Sequence, residues 1–158
     1  MLIADNAVRY GTVGEAADTF QCALTCKVPI SDAVALLHEA IVGAGLWVLH
    51  EIDPQALLKR GGFAIGPARQ ILFFHPRFMV RILGADPAAL LEAPLKFALL
   101  EKAGERVLLR WTDPALAFAR YENSQLADLG LELSALCEEI VTAAFRSSSG
   151  NPGEYETP

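Results

Sequence analysis

Two apolar segments near the end of the chain lie only three residues apart, and this spacing limits the possible folds more than any other feature. Residues 96–102 have the sequence KFALLEK and residues 106–111 have RVLLRW, with Ala-Gly-Glu between them. A connection this short joins antiparallel strands, because parallel neighbours need a crossover of roughly a dozen residues or more. The segments therefore predict a β-hairpin and favour a largely antiparallel α+β fold over a doubly wound one.

Strand and helix patterns alternate in the residues before and after this hairpin. Between residues 18 and 27 the apolar side chains recur at every second position, which is the period of a half-buried strand. Ser31 is predicted to cap the helix that follows. Two more strands are predicted over residues 46–52 and 69–75. The predicted helices cover residues 32–44, 54–60 and 76–83, a short turn after Asp86-Pro87, and a long C-terminal helix over 126–145.

These elements predict one domain. The order β-α-β-α-β-α-β-β-α buries its apolar stripes when helices are packed on one face of a single sheet. Residues 18–146 are expected to form this α+β domain, a length that needs no disulfide or metal to fold. Residues 1–17 are predicted to be an N-terminal extension that lies loosely on the domain or is disordered, and Leu2, Ile3, Val8 and Tyr10 in it could add a short edge strand. Residues 147–158, rich in Ser, Gly and Pro, are expected to be a disordered tail.

Composition limits the partners. The net charge is −6 and the chain has no cluster of Lys and Arg, which argues against nucleic acid and an anionic membrane surface. The chain has three cysteines, a number that does not indicate a disulfide framework, and no apolar run of 18 residues. We therefore expect a cytoplasmic protein. No phosphate-loop, dinucleotide or zinc motif is present, so neither a cofactor nor a metal is predicted.

Cys22 and Cys26 lie four residues apart on a predicted strand. They point to the same face but are about 13 Å apart at roughly 3.3 Å per residue. A single zinc binds sulfur at about 2.3 Å, so the two thiols cannot share one ion. Both are predicted to be core residues, and Cys137 in the last helix has the same default interpretation.

Four polar residues near strand ends are the candidate ligand-binding residues. Glu51 and Asp53 end the second predicted strand, Arg69 begins the third, and His75 ends it. Carboxylates and a guanidinium at neighbouring strand ends can hold a small polar ligand, although a salt bridge is the alternative interpretation. His75 precedes Pro76 at a strand-to-helix boundary, a common position for functional residues.

Several short motifs follow one another in a characteristic order. They are Ser31 to Leu37, Gly45-Leu46, Glu51-Ile52-Asp53, Arg69 to Pro76, Asp86-Pro87, Pro94 and Asp113-Pro114. Over roughly residues 19–120 this order resembles the bacterial family known as domain of unknown function 302. The chain differs from many members at His75, where they have asparagine, and at Leu95, where a polar residue or cysteine is common.

The resemblance implies a mostly antiparallel sheet backed by helices, with a β-α-β order similar to that of the TATA-binding protein. It also implies a homodimer, and it implies no known activity. The sequence itself gives a second reason to expect a dimer. The runs RVLLRW and RQILFF place apolar residues on both faces of their strands, so the sheet must be covered twice, either by helices on both faces or by a second subunit.

Two functions follow as hypotheses. The first is a dimeric module that binds a small ligand or a protein partner without catalysis. The second is an enzyme that uses His75 with Glu51, Asp53 or Arg69, with or without a divalent metal. The absence of catalytic motifs favours the first.

Overall fold

The fold is built on one five-stranded sheet. We describe a computed structural model of the chain, for residues 6–11, 20–102 and 106–146; the predicted tail over 147–158 lies outside this part. Every strand is antiparallel to its neighbours, and the strand order is β1-β5-β4-β3-β2. The strands are β1 (Gln21–Cys26), β2 (Trp47–Ile52), β3 (Ala68–Phe74), β4 (Leu95–Lys102) and β5 (Arg106–Thr112). The predicted hairpin is the pair β4–β5, and the antiparallel α+β fold is confirmed.

Helices connect the strands and follow the hairpin. They are α1 (Ile30–Gly43), α2 (Pro54–Arg60), α3 (Pro76–Ala85), α4 (Pro114–Ala119) and α5 (Ser124–Arg146), with a 3-10 helix over Pro87–Glu92 between α3 and β4. The sequence analysis did not predict α4. The prediction for Ser31 was wrong, because α1 begins at Ile30 and has no side-chain cap. None of the helices in the described ranges has both the length and the apolarity to cross a membrane.

Several helices begin with an N-cap residue that is followed by proline. Asp53, Asp86 and Asp113 each accept a hydrogen bond from a backbone N–H in the first turn, over 2.9–3.0 Å, and each precedes a proline. Proline suits this position because its fixed φ is helical and its missing N–H would have no partner there. His75 plays the same part before α3, since its Nδ1 accepts from Arg77 N at 3.1 Å.

One face of the sheet forms the core. Alternate residues of β3, β4 and β5 lie there, and the rings of Phe73 and Phe97 stack at its centre with centroids 4.5 Å apart. The helical layer covers this face. Its buried residues include Ala33, Leu37 and Ile41 of α1, and Leu126, Leu129, Leu133, Cys137, Ile140, Val141 and Ala144 of α5.

The backbones of α4 and α5 approach closely at Gly130. A Cβ atom at this position would lie 2.8 Å from the Pro114 carbonyl oxygen and 3.0 Å from the Phe118 Cβ. Glycine is therefore the residue that allows this contact. Nearby, Ser134 of α5 donates a hydrogen bond to Asp113, the cap of α4, at 2.8 Å.

Part of the predicted N-terminal extension lies against the domain. Ala7 forms a parallel bridge with Ala64, and Val8 N donates to Ala64 O at 2.9 Å. Asn6 also donates from its side chain to Gly62 O at 2.7 Å. Residues 6–11 therefore lie beside the loop between α2 and β3.

Gly130→Ala is expected to destabilise the protein. The added methyl group must displace backbone atoms of α4, and overpacking of this kind typically costs about 1–3 kcal/mol, against a gain of about 1 kcal/mol from helix propensity. The matched control is Gly84→Ala in α3, where a Cβ meets nothing within 4 Å. Urea unfolding should give a lower free energy of unfolding for the first variant and an equal or higher one for the second. Equal stability of both variants would contradict the close contact.

Candidate functional site

The sheet face opposite the helical layer carries two cross-strand rows of side chains. Pairing aligns Gln70 of β3 with Ala98 of β4, and Ala98 with Arg110 of β5. The next row contains Ala68 of β3, Leu100 of β4 and Leu108 of β5. All six side chains alternate with core residues, so they point away from α1 and α5. We call the surface that these strands form the free face.

A cavity of about 640 Å³ lies over these rows. Its volume is within the range of roughly 300–1,000 Å³ that is typical of small-molecule sites. Apolar side chains form most of the wall, with a few polar groups among them. The lining residues are Val8, Tyr10, Gln21, Pro54, Leu58, Ile65, Ala68, Arg69, Gln70, Ala98, Leu99, Leu100, Leu108 and Arg110. The N-terminal segment and α2 thus close the sides of a site whose floor is the sheet.

Three of the four predicted site residues meet in an ion-pair cluster at one border of the cavity. Arg69 Nη1 lies 3.0 Å from Asp53 Oδ1, and Arg69 Nε lies 3.6 Å from Glu51 Oε1. His38 of α1 lies beside them, with its Nε2 3.0 Å from Glu51 Oε2 but without the geometry of a hydrogen bond. The cluster holds together the end of β2, the start of β3 and α1. Its two carboxylates balance the charge of Arg69.

His75 lies elsewhere. It follows the last residue of β3, whereas Arg69 is near the first, so the length of the strand separates them by roughly 20 Å at about 3.3 Å per residue. Its Nδ1 caps α3, and its ring contacts the exposed Trp47 with centroids 5.1 Å apart. Asparagine, which many members of the resembling family have here, is also a favoured N-cap residue. This position therefore has a structural explanation.

Arg110 is the polar residue that the sequence analysis missed. Its Nη1 donates to the side-chain oxygen of Gln21 at 3.0 Å. Its Nε is buried and has no hydrogen-bond partner among the residues that the structure describes. One signal in the sequence could have found it: in RVLLRW, Arg110 alternates with the buried Val107 and Leu109, so it belongs to the other face of the sheet.

The cysteine thiols are held in the neutral form. Burial raises the pKa of Cys26 to about 12. Burial, and to a smaller extent Cys22, Asp113 and Glu138, raises the pKa of Cys137 to about 12. The pKa of the half-buried Cys22 is also raised, first by burial. The three are free thiols in the structure, and because the thiolate is the reactive form, none has the environment of a nucleophile.

The histidines and acids do not form a metal centre in the part of the chain that is described. No group of three or more His, Cys, Asp or Glu side chains there could hold an ion. Glu51 and Asp53 both pair with Arg69. The polar side chains in the wall of the cavity are Tyr10, Gln21, Arg69, Gln70 and Arg110.

The fold and the site together define a class of protein. It is a single antiparallel sheet with one helical layer, and with a mostly apolar cavity on the sheet's free face. Ligand sites of this kind use a few polar groups to orient a ligand whose apolar part supplies most of the buried area.

The sequence profile of the family described as "Domain of unknown function DUF302" matches residues 22–144. The chain belongs to this family, which confirms the resemblance. It is also similar to the "Crystal structure of uncharacterized conserved protein DUF302 from Bacillus stearothermophilus", with a TM-score of 0.74 and 13% identity over 80% of this chain and 98% of that one. At this identity the likeness shows the fold alone. No curated protein matches the chain.

The thiols give a direct test of the packing around β1 and α5. At pH 8, a thiol with a pKa of about 12 is thiolate in only about one part in 10⁴, so Cys26 and Cys137 should resist iodoacetamide in the native protein. Mass spectrometry should find all three cysteines modified after unfolding in guanidinium chloride, and Cys22 modified first in the native state. Rapid native modification of Cys137 would contradict its burial.

Proposed function

We propose that this protein is a non-catalytic module that binds a small molecule in the cavity on the free face of the sheet. One observation carries the proposal: a cavity of about 640 Å³ with an apolar wall, into which a few polar side chains converge. A fully packed free face would have offered no such space. The family and the fold are compatible with this function, and neither specifies it.

The contacts of the candidate catalytic groups support a binding function without catalysis. Glu51 and Asp53 are engaged by Arg69, and His75 caps a helix at the far end of β3. Ser134 donates to Asp113, but that carboxylate already accepts from the backbone of α4. No hydrogen bond within the described ranges joins a histidine to a serine or a cysteine. An enzyme built on His75 with Glu51, Asp53 or Arg69 would require these groups to meet, and β3 separates them.

We also propose that the module is a homodimer in the cytoplasm. The free face exposes part of an apolar surface that includes Leu72 of β3 as well as the floor of the cavity, and a sheet is stable when both apolar faces are covered. A second copy placed on this face would also close the mouth of the cavity. The three unpaired thiols support a reducing compartment.

Ligand binding can be tested with N-phenyl-1-naphthylamine, a neutral apolar dye whose fluorescence rises when it leaves water. Ala98 lies in the floor of the cavity, so Ala98→Phe should fill it and weaken dye binding about tenfold or more. The matched control is Ala35→Phe, which makes the same change at an exposed position of α1 in the helical layer, and it should leave the affinity within about twofold. Failure of the unmodified protein to bind the dye, or an equal effect of both changes, would contradict the site.

The dimer is tested by light scattering after size-exclusion chromatography. The unmodified chain should elute with twice its mass of 17.0 kDa. Leu72→Asp on the free face should shift it toward the monomer, because an unpaired carboxylate would be buried in the interface. Val42→Asp, at an exposed position of α1 in the helical layer, should remain a dimer. A monomeric unmodified chain, or dissociation only with the second variant, would refute this arrangement.

A further inference from the structure

Two arginines border the cavity, and their surroundings differ. Arg69 lies between two carboxylates, so its charge is balanced. The described partner of Arg110 is the amide of Gln21, which carries no charge. The Nε–H of Arg110 is buried without a partner within the described residues. Arg110 is half-buried, and its Nε–H has lost water without gaining a hydrogen bond, whereas charged groups removed from water are normally paired.

The side chains next to Arg110 determine what else a ligand must have. Ala98 is its cross-strand neighbour, and Leu100 and Leu108 lie one row further along the sheet. Leu58 of α2 borders the same space. An ion without an apolar part would leave these surfaces uncovered, and a neutral apolar molecule would leave the guanidinium without a counter-charge.

We propose, building on the proposed function, that the cavity binds a molecule with an anionic group on an apolar body, and that Arg110 binds the anion. The fork of N–H donors on a guanidinium matches the oxygens of a carboxylate or a sulfonate. The apolar body lies over Ala98, Leu100 and Leu108. Gln21, already bonded to Nη1, fixes the orientation of the guanidinium.

The net charge of the chain implies that an anion is attracted by contact with Arg110 and not by the protein as a whole. At −6 the protein as a whole repels anions, so long-range attraction does not bring the ligand to the site. Contact with Arg110 inside a cavity of low polarity is the source of the preference, because screening by salt is weak for groups removed from water. The preference for an anion should therefore depend on this one guanidinium.

Two dyes with the same aromatic body test the proposal. 1-Anilinonaphthalene-8-sulfonate carries a sulfonate, and N-phenyl-1-naphthylamine is its neutral counterpart. Arg110→Gln should lower the ratio of anionic-dye to neutral-dye affinity by roughly 10- to 100-fold, the range expected for one charge-assisted hydrogen-bonding group. The matched control is Arg106→Gln, an exposed arginine on the same strand and face, which should leave the ratio within about twofold.

The possible outcomes separate the inference from the proposed function. If the neutral dye binds but the ratio is the same in all three proteins, or falls equally in both variants, the role of Arg110 is wrong and the cavity remains a ligand site. If neither dye binds the unmodified protein, both proposals fail. Circular dichroism of each variant must match that of the unmodified chain for the ratios to be compared.

A measurement on the unmodified protein does not depend on the folding of a variant. Decanoate and decanol have the same chain length and differ in charge. Decanoate should displace the neutral dye at a concentration at least about tenfold lower than decanol, although decanol is the more apolar of the two. Equal or stronger displacement by decanol would overturn the proposal.

Discussion

The structure depends on the burial of one face of its sheet beneath one helical layer. Phe73 and Phe97 stack at the centre of that face, and the apolar stripes of α1 and α5 lie over it. Because side chains alternate along a strand, this burial also determines which residues point the other way. The packing of the core therefore determines which residues lie on the free face. Its apolar rows and Arg110 point away from the helical layer.

The two polar regions at the cavity, around Arg69 and around Arg110, differ in whether the arginine has a carboxylate partner. The cluster of His38, Glu51, Asp53 and Arg69 gives the arginine two carboxylate partners and links α1 to the sheet. Arg110 shares the cavity wall but has only an amide partner among the described residues. The first region has a structural explanation, since its arginine is paired with two carboxylates. The guanidinium of the second has no carboxylate partner among the described residues, and this difference between the two arginines is the physical basis for assigning an anionic ligand.

Local patterns predicted most of the fold. The alternation of apolar residues predicted β1, and the Asp-Pro pairs at Asp53 and Asp86 predicted helix starts. Both signals could be read from the sequence because each lies within a few consecutive residues. Helix α4 escaped prediction because it has only six residues and its position depends on contact with Gly130, which follows it in the chain. The candidate site was predicted in part. Antiparallel pairing brings the end of β2 to the start of β3, so the meeting of Asp53 with Arg69 follows from the order of the strands in the sequence. The same pairing places His75 at the opposite end of β3. Arg110 escaped notice because its cavity combines segments distant in sequence.

A crystal structure of the protein grown with decanoate tests the account most directly. The account predicts carboxylate oxygens within about 3.2 Å of the Arg110 guanidinium, a normal hydrogen-bond distance, with the alkyl chain over Leu100 and Leu108. A structure in which an acidic side chain of a second copy pairs with Arg110, or in which decanoate lies elsewhere while the cavity stays empty, would contradict it.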